Sequence, residues 1–101
     1  MTPYERFIKT NTKENLWIYI LIILKRGPHY AWDMYSVIEK EFGFKPGSIT
    51  PYRVLYRLEE QNYVESEKIN RKRIYKITAL GEKELQKAKD FYLQIAKQIN
   101  G

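Results

Sequence analysis

Apolar residues along this chain change their period at a few glycines and prolines, and those changes divide it into helices and strands. Thr2, Pro3 and Glu5 open a short helix through Lys9, with Thr2 as its cap. The longest apolar run, Leu16 to Leu24, is nine residues; a membrane span needs about twice that, so the run predicts a buried helix. That helix starts after Asn11 or Thr12 and continues to about Lys25, where Lys25 and Arg26 suit the negative end of its dipole and Gly27-Pro28 stops it. Trp32, Tyr35, Ile38 and Phe42 recur at spacings of three and four and predict a helix over Ala31–Phe42, ended by Gly43.

A third core helix takes Ser48 or Thr50 as cap, carries Pro51 in its first turn and ends near Gln61. Tyr52, Leu55, Leu58 and Glu59 fall on one of its sides, and Thr50, Arg53, Arg57 and, towards the edge, Tyr56 on the other. Beyond Asn62, which suits a left-handed helix terminus, Val64–Lys68 and Arg73–Ile77 read as two short strands around an Ile69-Asn70-Arg71-Lys72 turn. The last helix runs from near Thr78 to about Ile99. Its Leu85, Ala88, Tyr92, Ile95 and Ile99 are spaced three, four, three and four residues apart, the pattern of an association seam.

The chain has 101 residues, 44% of them hydrophobic, which suits one folded domain. Without Cys it has no disulfide framework, thiolate metal site or thiol nucleophile, and His29, its one histidine, has no second ligand with which to share a metal. Neither a metal nor a cofactor is expected. Ser36, Ser48 and Ser66 lie in no nucleophile motif, there is no glycine-rich phosphate loop, and the adjacent Glu59-Glu60 diverge on a helix, so no enzyme is expected. Glu5, Arg6 and Lys9 interrupt the N-terminal residues where a leader peptide would be apolar, which leaves a cytoplasmic protein without a membrane partner as the expectation.

Charge changes the picture more. The net value is +6, and five cations, Lys68, Arg71, Lys72, Arg73 and Lys76, fall within nine residues that contain no acid. Taking those five from the 18 cations leaves 13 against 12 acids, so almost all the excess sits in one hairpin. A polyanionic partner follows. The order of elements is that of a mainly α winged helix-turn-helix with a small two-stranded wing, over residues 1–77 including an N-terminal extension. A long dimerisation helix, residues 78–101, joins it in one compact unit. In such a fold the third helix enters the major groove of double-stranded DNA and the wing lies on the backbone. Ser48, Thr50, Tyr52, Arg53, Tyr56 and Arg57 are then the candidate contacts of the helix, and the five hairpin cations those of the wing.

Three stretches, in this order, resemble the PadR family of transcriptional regulators. LIILKRGPHYAWDM, from Leu21 to Met34, is similar to the family's apolar helix, Gly-Pro stop and opening of the next helix. PGSITPYRVLYRLEEQNYVES, from Pro46 to Ser66, is similar to its recognition helix and entry to the wing, and RKRIYKITALG, from Arg71 to Gly81, to its basic wing strand and the start of its last helix. The chain departs from the family in having Tyr30-Ala31-Trp32 where His-Gly-Tyr is common, and Asn62 where glycine is usual. The resemblance implies a homodimer, usually a repressor, on an inverted-repeat operator, with the terminal helix supplying much of the interface.

Some members of that family respond to a small-molecule effector, for which Trp17, Tyr19 and Trp32 are the candidate lining. Aromatics at helical spacing more often fill a core, and a core is the expectation here. The residues alone also admit two rival functions: a winged-helix module that meets an acidic protein surface, and a non-specific DNA-binding protein. Arg53 and Arg57 equally admit surface pairing with neighbours such as Glu60.

Overall fold

The computed structural model describes residues 1–101. Helix α1 (Pro3–Thr12) begins on a capping box, in which the Glu5 N–H donates to Thr2 Oγ1 at 3.0 Å and the Thr2 N–H to Glu5 Oε1 at 2.8 Å. Those bonds to Thr2 hold the Glu5 carboxyl below its ordinary range. The helix outlasts the expected Lys9 because Thr10 and Asn11 donate to the Phe7 carbonyl and Thr12 to that of Ile8. A 3-10 turn at Lys13–Asn15 then leads into α2 (Leu16–Arg26), which supplies six of the 15 buried residues. An apolar helix of this kind has no face to spare for water, so it occupies the centre of the molecule.

After Gly27-Pro28 a two-residue strand, β1 (His29–Tyr30), and a 3-10 turn, Ala31–Asp33, precede α3 (Met34–Phe42). The expected helix over Ala31–Phe42 therefore starts three residues late, and the tighter turn shifts its phase. Ile38 is buried as expected, but Met34 is buried in place of the predicted Trp32, which stays 54% exposed. Gly43, at φ +75, ends α3 as expected.

Helix α4 (Thr50–Glu60) follows. Neither Ser48 nor Thr50 caps it. The cap position is Ile49, whose φ −96 and ψ −20 are already helical, and its carbonyl accepts the N–H groups of Tyr52 and Arg53. The chain thus enters α4 through a turn, with no extended residue from which a side chain could cap. Pro51, Leu55 and Leu58 are its buried residues; Tyr52, expected beside them, sits at the edge, 37% exposed. Asn62 adopts the predicted left-handed conformation, φ 67.

Strands β2 (Val64–Ile69) and β3 (Lys72–Ile77) each run one residue closer to the tip than expected, leaving a two-residue turn. Asn70 at φ 50 and Arg71 at φ 68 give it the twist that an antiparallel hairpin favours. The sheet has three strands, where two were expected, in the antiparallel order β1-β3-β2. Two residues are too few to show an alternation, which is why β1 was invisible in the sequence.

The last helix, α5 (Ala79–Asn100), is capped by Thr78, whose hydroxyl accepts the Gly81 N–H at 3.0 Å and donates to the Asn62 carbonyl at 2.7 Å. Gly81 is required there: a Cβ on it would lie 2.1 Å from the Tyr63 carbonyl oxygen. Helix α2 packs against α3, α4, α5 and β3. Tyr19 on α2 donates to the Asn11 carbonyl at 2.6 Å and Tyr92 on α5 to Asn11 Oδ1 at 3.1 Å, which fastens α1 to both helices. No helix is long and apolar enough to cross a membrane.

Candidate nucleic-acid interface

With Pro51, Leu55 and Leu58 turned into the core, the helical period sends Arg53, Tyr56, Arg57 and Glu60 to the opposite side of α4, and all four are exposed. Thr50 is half-buried at the start of the helix and Ser48 is exposed in the connection before it. Neither arginine pairs with Glu60: the ion pairs join Arg26 to Glu41, Lys45 to Glu39, Lys76 to Glu65 and Lys87 to Glu84. Two guanidinium groups and a phenol therefore stand free on one helix face.

The strand ladder sorts the hairpin cations in a way their linear order does not show. Tyr75 and Val64 are buried, so the face they share with Ser66, Lys68 and Arg73 is the one turned towards the core and α4. On it Lys68 lies directly opposite Arg73, a like-charge pair that is unfavourable unless an anion sits nearby. Lys72 and Lys76 point to the outer face, where pairing brings in Glu65 and Glu67. Lys76 meets Glu65 at 3.1 Å. The hairpin is thus less uniformly basic than its nine acid-free residues suggested, and its unpaired charge gathers at Lys68, Arg71, Lys72 and Arg73.

A bridge that the sequence did not signal joins α4 to the wing. Arg73 Nη1 donates to Ser66 Oγ at 3.0 Å, and Ser66 Oγ donates to Glu59 Oε2 at 2.6 Å. Burial in the core pushes the neighbouring Tyr75 hydroxyl up to about 12, and Glu59 and Tyr56 push in the same direction. Tyr75 is neutral throughout the physiological range and contributes packing, not charge. The bridge holds the wing at a set angle to α4, so their charged surfaces move as one.

The expected seam on α5 divides in two. Leu85 is half-buried against the core and Ala88 half-buried beside it, whereas Tyr92, Ile95 and Ile99 are exposed, Ile99 by 79%. Ala88 and Tyr92 line an apolar groove of about 770 Å³ between α1, α2 and α5. The three aromatics considered for an effector do not meet. Tyr19 lies in that groove, Trp17 beside a smaller one along α4, and Trp32 against Lys72 near the tip of the wing. His29 belongs to β1 and not to a turn, and its Nδ1 is 3.0 Å from the Gly27 carbonyl oxygen.

Comparison with solved structures finds the same architecture elsewhere. A transcriptional regulator from Clostridium thermocellum is 25% identical, with a TM-score of 0.75 over 83% of this chain and 88% of that one. A PadR family transcriptional regulator from Eggerthella lenta is 21% identical, with a TM-score of 0.77 over 96% and 92%. Bacillus subtilis PadR in complex with operator DNA is 23% identical, with a TM-score of 0.66 over 71% of this chain and 44% of that longer one. Comparison with curated proteins finds no match. The model of the PadR-like transcriptional regulator family matches residues 20–87, from within α2 through the helix-turn-helix and wing into α5, and the chain belongs to that family.

Proposed function

We propose that this winged-helix transcriptional regulator is a sequence-specific repressor that binds an inverted-repeat operator as a homodimer in the cytoplasm. The observation that carries the reading is the free Arg53, Tyr56 and Arg57 face of α4 beside a wing whose Lys68 and Arg73 are held opposite each other. Helix α4 enters the major groove, where a guanidinium from Arg53 or Arg57 matches the two acceptors of guanine, and Ser48, Thr50, Tyr52 and Tyr56 supply hydroxyls. The wing places Lys68, Arg71, Lys72, Arg73 and Lys76 against phosphates. Bacillus subtilis PadR, which shares the fold, has been captured on operator DNA.

Residues 1–77 form the reading unit in this proposal and residues 78–101 the dimerisation helix. Exposed Ile95 and Ile99 extend beyond the monomer's own packing, and an apolar seam on a 22-residue helix needs a partner to cover it. At 1.5 Å per residue such a helix is about 33 Å long, close to the roughly 34 Å between half-sites one DNA turn apart.

The test is a selection of bound fragments from random duplex DNA, followed by titration of the winner and a scrambled control at two salt concentrations. An enriched inverted repeat, bound at least about a thousandfold more tightly than the control, supports the reading. Steep salt dependence without enrichment makes the protein a non-specific binder, and no binding at all leaves the fold serving a protein partner.

A further inference from the structure

Trp32 is the largest side chain in the molecule that the core leaves without a task. It is 54% exposed, and its indole N–H, a group that can only donate, has no acceptor within the protein. The surroundings nevertheless hold the ring in place. Strand β1 pairs His29 with Tyr75 and Tyr30 with Ile74, and the 3-10 turn that follows it carries Trp32 on towards Lys72, the first residue of β3. The contact is present: Lys72 Nζ lies 5.2 Å from the Trp32 ring centroid. Tyr30, at the end of β1, stacks on the indole at 6.2 Å with an interplanar angle of 25°.

Lys72 is exposed and in no ion pair, so an ammonium and a neutral donor sit side by side near the tip of the wing, both without an anion. One phosphodiester meets both needs, since it has a single charge and two acceptor oxygens, and its sugar gives the indole edge an apolar neighbour. We propose that Trp32 and Lys72 together bind one phosphate of the DNA backbone, outside the bases read by α4. The inference rests on the DNA-binding reading and adds to it a neutral contact that charge alone does not reveal.

Trp32 reports on itself. The chain has two tryptophans, and a Trp17→Phe variant leaves Trp32 as the only indole. It is titrated with a fluorescein-labelled duplex at low salt, where backbone contacts dominate, while label anisotropy records binding independently. Trp32 emission is expected to change and saturate with the anisotropy. In the otherwise native chain, Trp32→Phe keeps a ring between Tyr30 and Lys72 but loses the N–H, and is expected to weaken binding about two- to tenfold at an unchanged thermal midpoint. Lys72→Ala should cost less in that variant than in the native chain, because both groups act on one phosphate. Binding by anisotropy with flat Trp32 emission and a native-like Kd for Trp32→Phe overturns the phosphate site while the DNA-binding reading stands. No anisotropy change at all overturns both.

Discussion

Replacing Arg71 with Gly separates what the wing tip costs the fold from what it contributes to binding. Arg71 is the second residue of the hairpin turn at φ 68, a left-handed conformation in which the Cβ of an L-residue crowds the following carbonyl. That crowding costs about 1–2 kcal/mol, and glycine is the residue such turns prefer after Asn. Glycine also frees the unfolded chain, which takes back about 0.4–1 kcal/mol. Arg71 is exposed and makes no side-chain hydrogen bond or ion pair that the change would remove. The expected net gain is about 0.5–1 kcal/mol, or a rise in Tm of about 2–8 °C for a domain of this size.

Binding should move the other way. If Arg71 neutralises one phosphate, Arg71→Gly lowers the slope of log K against log salt by about 0.9. Between about 50 and 200 mM salt the native chain then loses about 3.5-fold more affinity than the variant. Thermal melts followed by circular dichroism and anisotropy titrations at several salt concentrations read the two effects separately. A lower Tm for Arg71→Gly refutes the strain argument; an unchanged slope refutes the phosphate contact. A more stable protein that binds less tightly is the signature of a turn retained for function.

Gly81→Ala should destabilise by about 2–4 kcal/mol despite the better helix propensity of alanine, because the new Cβ meets the Tyr63 carbonyl 2.1 Å away and must push α5 off its Thr78 anchor. A urea midpoint equal to the native one would refute that. Tyr75 ionises near 12 when folded and near 10 when unfolded, so its contribution to stability is complete below about pH 10 and declines as pH rises towards 12. Tm measured over that range should therefore fall less steeply for Tyr75→Phe than for the native chain, and parallel declines would contradict the assignment. Ile95 is 46% exposed in the single chain, so Ile95→Asp should change monomer stability by no more than about 0.5 kcal/mol. Sedimentation should show the variant shifted from dimer to monomer, and a dimer that persists would exclude the α5 seam.

Much of the interface was legible because its signals are local. Pro51 in a first turn, the apolar spacing of Leu55 and Leu58, and Asn62 at a left-handed terminus place α4 and its exposed arginines without reference to the rest of the chain. The wing cations were legible as composition. Their pairing was not, since Glu65 comes opposite Lys76, and Glu67 onto the same face, only when the ladder forms. Trp32 was misplaced for a related reason: its spacing to Tyr35 suits a helix, but a 3-10 turn changes the angle per residue and turns the ring out.

Legible from the residues alone were the order of the helices and the hairpin, the burial of α2, the single basic cluster and the resemblance to PadR regulators. Each of these depends on residues within a few positions of one another, where backbone geometry dictates the period. Tertiary structure alone decided which of those residues meet. It paired β1 with β3, set Lys68 against Arg73, strung Glu59, Ser66 and Arg73 into a bridge and laid Lys72 over Trp32. Such contacts join segments separated by up to about 46 residues, and their geometry follows from strand register and core packing, which no local pattern encodes.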